Sequence, residues 1–311
     1  MLLAIVLAPI PYTLFAPSAP RPIGELIVVD GATRELSGQL LASSAGFRKA
    51  TAGLALWALV DSSRDIKRLP DGKVQKQVTL TALELDLSVM AAAVIGLDLA
   101  GRDASVTSDG LRVLAVASAD AVVAVLRPGD LLLEAAGEPL VLPSDLAGLA
   151  AASSAGEVIP MLRRRDGRDE VVDVPVHVIP DRKRIEALTV PINPVLHLPD
   201  GVSVTGIELE AVGGSAGLML ALAIHDRFAD RPLLAGRTVT GTGSIDRAGN
   251  VFPIQGIRQK VIAAEAAGVD LFLAPADQYE EALGAADHMP VLSIATVAEA
   301  IEVLRGSAVG G

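Results

Sequence analysis

Gly213-Gly214-Ser215-Ala216-Gly217-Leu218-Met219-Leu220 is the stretch on which the reading of this chain turns. A run of alternating and apolar residues from Val204 breaks at two glycines and resumes as small and apolar residues through Ala223, a strand giving way to a helix. Ser215 is thereby placed at a helix N-terminus, where unpaired backbone N–H groups and the helix dipole favour an anion or a developing oxyanion. A serine hydroxyl there is a candidate nucleophile, but a weak one until a neighbouring base takes its proton.

Few side chains can act as that base. His177 and His197 precede the serine, and His288 sits in a polar stretch near the C-terminus. His225 lies ten residues on, about 15 Å along the helix, too far to reach back. Lys260 is the better candidate. In Gly256-Ile-Arg-Gln-Lys260-Val-Ile-Ala-Ala-Glu-Ala-Ala-Gly268, helical spacing aligns Lys260 with Ile257, Ala263, Ala264 and Ala267, with Arg258 nearer Glu265 on the wet side. A lysine on the apolar face is desolvated, which lowers its pKa toward the range of a neutral general base. The same pattern also fits a lysine whose stem covers apolar surface while its amine stays in water.

Three further blocks follow the serine: Thr240-Gly-Thr242-Gly-Ser-Ile245, Gly249-Asn-Val-Phe-Pro-Ile254, and the lysine helix followed by Ala267-Gly-Val-Asp-Leu-Phe-Leu-Ala-Pro275. With Gly213 to Gly217 they resemble the proteolytic domain of the Lon family of Ser-Lys dyad peptidases. The resemblance implies that Ser215 is the nucleophile, Lys260 the general base, and Thr242 a hydroxyl that holds the lysine amine. Backbone N–H groups near Gly214 to Ala216 would hold the oxyanion, with no metal or cofactor. Two positions depart from the family pattern: Val212 stands where an acidic residue is common, and Gly214 where a proline is common. Without that carboxylate the lysine is easier to neutralise.

Other readings of the same residues are weaker. Gly213 to Gly217 fits the G-x-S-x-G nucleophile elbow, but that site needs an acid and then a histidine downstream, and His288 alone is far enough along. A phosphate-cradling loop would need Gly-Lys-Ser/Thr after the glycines, and none follows. Glu208 and Glu210 share one face of the strand before the serine, a pattern that a solvated face explains better than acid-base work. The net charge of -11 argues against nucleic acid as a partner, and the lack of cysteine excludes disulfides and thiolate chemistry. Four scattered histidines do not suggest a zinc centre.

Upstream, residues 1–22 begin with an apolar run broken by Pro9, Pro11, Pro17 and Pro20. A cleaved export signal, the tail of a membrane anchor and a buried strand compete here, and the truncated anchor is preferred. Residues 23–94 form a strand and helix region, with Phe47 to Val60 helical in appearance and a helix over Thr79 to Ala93. Residues 95–178 resemble a PDZ-like peptide-binding domain. Strands run over 110–116, 158–164 and 170–176, with a hairpin at Asp166-Gly167 and a helix N-capped by Ser144 through Ala152. The PDZ resemblance places the loop that receives a peptide carboxylate at Ile95-Gly96-Leu97. Residues 179–307 are the proteolytic domain, entered through the charged Asp181 to Arg184 and opened by a strand from Leu188 to Pro194.

The expected fold class is therefore α/β (α+β), a PDZ-like β domain followed by a Lon-type proteolytic α/β domain. The order of these regions resembles membrane-anchored Lon-like proteases that carry a PDZ domain and no ATPase. That resemblance implies an ATP-independent serine endopeptidase acting on unfolded or flexible proteins and peptides selected by the PDZ domain. It further implies a ring-shaped homo-oligomer, held in the cell membrane by the N-terminal segment with its catalytic part extracytoplasmic. The competing function is a proteolytically idle PDZ peptide-binding adaptor.

Overall fold

The computed structural model describes residues 9–25, 27–32, 34–61, 63–68, 74–116, 120–179, 182–185, 187–206 and 214–306. Glu208, Glu210, Val212 and Gly213 lie outside the described residues. The mixed α/β class expected from the sequence holds, in two compact units. Unit 1 comprises Met1–Arg102, Asp200–Ile245 and Val251–Gly311, and unit 2 comprises Asp103–Pro199 and Asp246–Asn250.

Unit 1 opens with strand β1 (Pro9–Pro22), β2 (Ile27–Asp30) and β3 (Gln39–Thr51), then helix α1 (Ala52–Ala58), β4 (Asp65–Arg68) and the long helix α2 (Val74–Asp98). Of the three readings of the N-terminal stretch, the strand describes Pro9–Pro22, buried at Thr13, Leu14 and Phe15, which corrects the preferred anchor over those residues. β1 pairs antiparallel with β3 on one side and β4 on the other, and Leu14 is fully buried. Register shifts between Pro9 and Thr13 and between Ser18 and Arg21 enclose Pro11 and Pro20, which lack the N–H a regular ladder needs. Among the described residues no helix is long and apolar enough to cross a membrane. The helical appearance of Phe47 to Val60 is half right: β3 runs on to Thr51, whose hydroxyl caps α1 by accepting from the Leu54 N–H at 3.3 Å.

Unit 2 holds β5 (Ser105–Thr107), β6 (Leu111–Val116), α3 (Asp120–Val125), β7 (Leu131–Ala135), β8 (Glu138–Pro139), α4 (Pro143–Ala152), β9 (Val158–Arg165), β10 (Arg168–Pro175), β11 (His177–Ile179), β12 (Arg182–Arg184), β13 (Ala187–Pro191) and β14 (Val195–His197). Its main sheet has the order β10-β9-β7-β6-β13. The Asp166-Gly167 hairpin forms as expected, both residues at positive φ, 52° and 74°. Ser144 does not cap α4. Leu142 is the cap residue, Pro143 occupies the first turn, and Asp145 Oδ2 accepts from the Val141 and Leu142 N–H groups at 2.8 and 3.0 Å. The strand expected from Leu188 to Pro194 is β13, Ala187–Pro191, and it packs in unit 2, where β13 pairs with β6 and β14 with β5.

The chain returns to unit 1 with β15 (Ser203–Gly206), which pairs with β2, then α5 (Gly217–Phe228), β16 (Thr238–Gly241), β17 (Ser244–Ile245), β18 (Val251–Phe252), α6 (Ile257–Ala266), β19 (Leu271–Pro275), α7 (Tyr279–Leu283), β20 (Val291–Ile294) and α8 (Val297–Gly306). The sheet of unit 1 runs β20-β19-β16-β3-β1-β4, parallel from β20 through β3 and antiparallel beyond. Its central strand β16 thus lies between β19 and β3, so the N-terminal region supplies half of this sheet. α5 is buried all round except at Arg227, as its continuous apolar sequence demands. At its far end the buried Asp226 carboxylate accepts from the Ser37 N–H at 2.8 Å and the Leu233 N–H at 2.7 Å and pairs with Arg34 at 3.0 Å. A buried carboxylate left unpaired would be costly, so these bonds fasten the 34–37 segment to the helix.

The PDZ-derived expectation for Ile95-Gly96-Leu97 is overturned. These residues are buried in the last turns of α2 and pack in unit 1. A Cβ at Gly96 would meet the Ala221 carbonyl oxygen at 2.7 Å and Ile224 Cβ at 2.9 Å, so the glycine serves the close crossing of α2 over α5. A glycine between apolar residues looks the same in sequence whether it opens a loop or lets two helices touch.

Candidate active site

Three elements deliver three polar side chains to one point. Gly214–Ala216 form a single 3₁₀ turn that runs directly into α5, placing Ser215 at the mouth of the helix. Thr242 follows the end of β16, its N–H bonded to the Leu273 carbonyl at 3.0 Å. Lys260 stands in the first turn of α6, where its N–H closes on the Gly256 carbonyl at 3.1 Å. Gly256 has φ 73°, a left-handed conformation that turns the chain sharply into the helix and that glycine adopts without strain.

The Lys260 amine lies 2.8 Å from Ser215 Oγ and 2.8 Å from Thr242 Oγ1. The Thr242 hydroxyl donates to the Ser215 carbonyl at 3.0 Å, so its oxygen is left to accept from the amine. That arrangement leaves the amine's remaining valence facing the serine. Lys260 is 3% exposed and Thr242 is fully buried. Burial, with no carboxylate partner among the described residues, pushes the Lys260 pKa down to about 7. The serine is only partly buried, so its hydroxyl stays within reach of a substrate.

The backbone around the serine is held by three hydrogen bonds to two carbonyls. The Ser215 carbonyl accepts from Thr242 and from the Gly243 N–H at 3.0 Å, and the Gly214 carbonyl accepts from the Ser88 hydroxyl at 3.3 Å. In a trans peptide the N–H points opposite the carbonyl, so these bonds set the directions of the Ala216 and Ser215 N–H groups. Ser88 was not found by sequence reasoning. It lies on α2, more than a hundred residues upstream in an apolar helix, and no motif marks it. Its closeness is allowed by Gly217, where a Cβ would sit 2.9 Å from Ser88 Oγ.

His225 and His288, the histidines of unit 1, are held by other contacts. His225 is buried in α5, where burial, with Arg305 beside it, pushes its pKa down to about 4. Its Nε2 lies 3.1 Å from the Arg305 guanidinium. His288 follows α7 at the surface, its N–H donating to Glu265 at 2.6 Å. Among the described residues no group of three or more acidic or histidine side chains could hold a metal.

Comparison with known proteins finds a match over the part of the chain that carries Ser215, Thr242 and Lys260. Residues 192–307 match the family model of the Lon protease (S16) C-terminal proteolytic domain. Lon protease of Campylobacter jejuni is 33% identical over 112 residues, covering 34% of this chain and 13% of that protein. Lon protease 2 of Herpetosiphon aurantiacus is 37% identical over 95 residues, 30% of this chain and 10% of the relative. The chain thus spans only about an eighth of the length of the curated relatives it matches. Among solved structures, the PDZ domain of an SdrC-like protein from Listeria monocytogenes is 23% identical, with a TM-score of 0.25, covering 27% of this chain and 92% of that domain. The corresponding domain from Listeria innocua is 18% identical, with the same TM-score. Over residues 192–307 this chain is similar to the proteolytic domain of the Lon serine peptidases.

Proposed function

We propose that the protein is an ATP-independent serine endopeptidase in which Ser215 and Lys260 form the catalytic dyad. The single observation that carries this reading is the 2.8 Å approach of a buried, partly neutral amine to the serine hydroxyl. As Ser215 Oγ bonds to a peptide carbonyl carbon, its proton passes to Lys260 Nζ. The oxyanion is held by the N–H groups of Ser215 and Ala216, whose directions the carbonyl contacts fix. The lysine ammonium then gives its proton to the departing amine as the C–N bond breaks. In the second half the neutral amine takes a proton from water as the water oxygen attacks the acyl ester carbon, and the ammonium returns a proton to Ser215 Oγ as the ester C–O bond breaks, which frees the serine and the neutral lysine. Thr242 keeps the amine aimed throughout, and no metal or cofactor enters any step.

Unit 2 is proposed to select unfolded or flexible substrates by strand addition at an edge of its sheet, as PDZ domains do. Assembly into a ring and attachment to a membrane, with the catalytic part outside the cytoplasm, belong to the same proposal. With Pro9–Pro22 in the sheet, an N-terminal anchor would lie before Pro9.

Turnover of casein or a fluorogenic peptide tests the proposal, measured for wild type, Ser215→Ala and Lys260→Ala with and without ATP. Loss of turnover in both variants, with no ATP dependence in the wild type, is the expected outcome. Equal residual activity in all three would leave the adaptor as the function, and loss in the serine variant alone would move the base elsewhere.

A further inference from the structure

Helix α1 reads Ala52-Gly-Leu-Ala-Leu-Trp-Ala58, an apolar sequence, and none of its residues is buried. Leu56 is 63% and Trp57 48% exposed, and the turn that follows presents Leu59 at 81% and Val60 at 86%. The strands beside it expose Tyr12 and Phe47 as well. Single exposed apolar residues are ordinary, but an apolar helix with no buried side chain calls for something to cover it.

The charge around α1 says what that cover is. Arg48 and Lys49 are exposed just before the helix, and the Arg64 guanidinium stacks 3.8 Å from the centre of the Trp57 ring. From Phe47 to Arg68 the sequence carries five basic residues against two acidic, in a chain whose net charge is -11. One of the two acids, Asp61, is bonded to Ser63 and Arg64. An apolar tip with a basic collar on an otherwise acidic protein matches an anionic lipid surface, into which leucine and tryptophan enter while cations meet phosphates. Two copies of this surface facing each other would bring like charges together. The apolar sequence Met1–Ala8 joins β1 at Pro9, whose partner in β3 is Thr51, the cap of α1.

We propose that α1 and the turn after it form a lipid contact, separate from the N-terminal segment, that dips into the headgroup region of an anionic bilayer. Leu56, Trp57, Leu59 and Val60 enter the acyl boundary, and the exposed Arg48 and Lys49 meet headgroup phosphates. The contact does not depend on the catalytic reading.

Trp57 is the single tryptophan of the chain, so its emission reports on this surface alone. The full chain is mixed with vesicles of phosphatidylcholine, with and without phosphatidylglycerol, and followed by tryptophan emission and co-sedimentation. A blue shift and sedimentation with the phosphatidylglycerol vesicles, weakened by salt, are expected. The double variant Leu59→Asp, Val60→Asp should lose the shift and bind at least about tenfold more weakly. Its urea midpoint should match the wild type, because both side chains are in water in the folded chain. Four results would each overturn the proposal. They are no shift with anionic vesicles, a shift that grows with protein concentration without lipid, an emission already blue and unresponsive to vesicles, and undiminished sedimentation of the double variant.

Discussion

Lys260→Met should make the fold more stable at neutral pH while removing activity. Holding the amine at about 7 rather than at 10.5 means that the folded state forgoes a proton which the unfolded chain keeps. At neutral pH and below, that costs the wild type about 5 kcal/mol. Methionine fills a similar volume with no charge to desolvate. The substitution also loses the contacts of the amine to Ser215 and Thr242, about 1 kcal/mol each. Thr242 keeps its bond to the Ser215 carbonyl, so no buried donor is left unmet. The net gain is about 3 kcal/mol near pH ~7. Between about 7 and 10.5 the unfolded wild type binds one more proton than the folded form. Wild-type stability therefore climbs with pH by about 1.4 kcal/mol per unit relative to the variant, and the advantage of the variant disappears before 10.5. Urea unfolding followed by circular dichroism at several pH values from neutral to alkaline measures this directly. Parallel stability profiles for the two proteins would refute the claim that the folded chain holds a neutral amine.

The remaining expectations concern the same unit. Peptidase activity should rise with pH through a limb near 7 that reports Lys260, measured as kcat/KM, and a pH-independent rate across neutrality would contradict the assignment. Ser88→Ala should lower kcat about 2- to 10-fold, because one bond orienting the Gly214-Ser215 peptide is lost. KM and the pH limb should not move, since neither substrate contacts nor the lysine change. Gly96→Ala should destabilise the fold by about 1–3 kcal/mol through the contact with Ala221, read from urea midpoints. Unchanged stability with weakened peptide binding would instead restore Gly96 to a peptide-receiving loop.

The local parts of the site were legible because each rests on short-range rules. Two glycines before small apolar residues announce a chain turn into a buried helix, and the alignment of Lys260 with Ile257, Ala263, Ala264 and Ala267 announces that the lysine goes in, although Ala267 itself is exposed. The misreadings share a cause as well. The PDZ resemblance assigns Ile95-Gly96-Leu97 and local composition assigns Pro9–Pro22, whereas the structure of both is set by partners elsewhere in the chain. β1 is a strand because β3 and β4 complete its hydrogen bonds, and Gly96 is a glycine because Ala221 lies against it. Ser88 could not have been picked out at all, since its role exists only once α2 crosses the serine turn.

By itself the sequence determined the chemistry on offer: one serine at a helix mouth, one lysine on an apolar face, a threonine between them in order, and no cysteine to replace them. Only the tertiary structure decided that the three meet within 2.8 Å, that water is excluded from the amine, and that the N-terminal region completes the sheet beneath them. The physical reason is that a pKa near 7 and an aimed lone pair are properties of surroundings assembled from residues 18 to 126 positions apart.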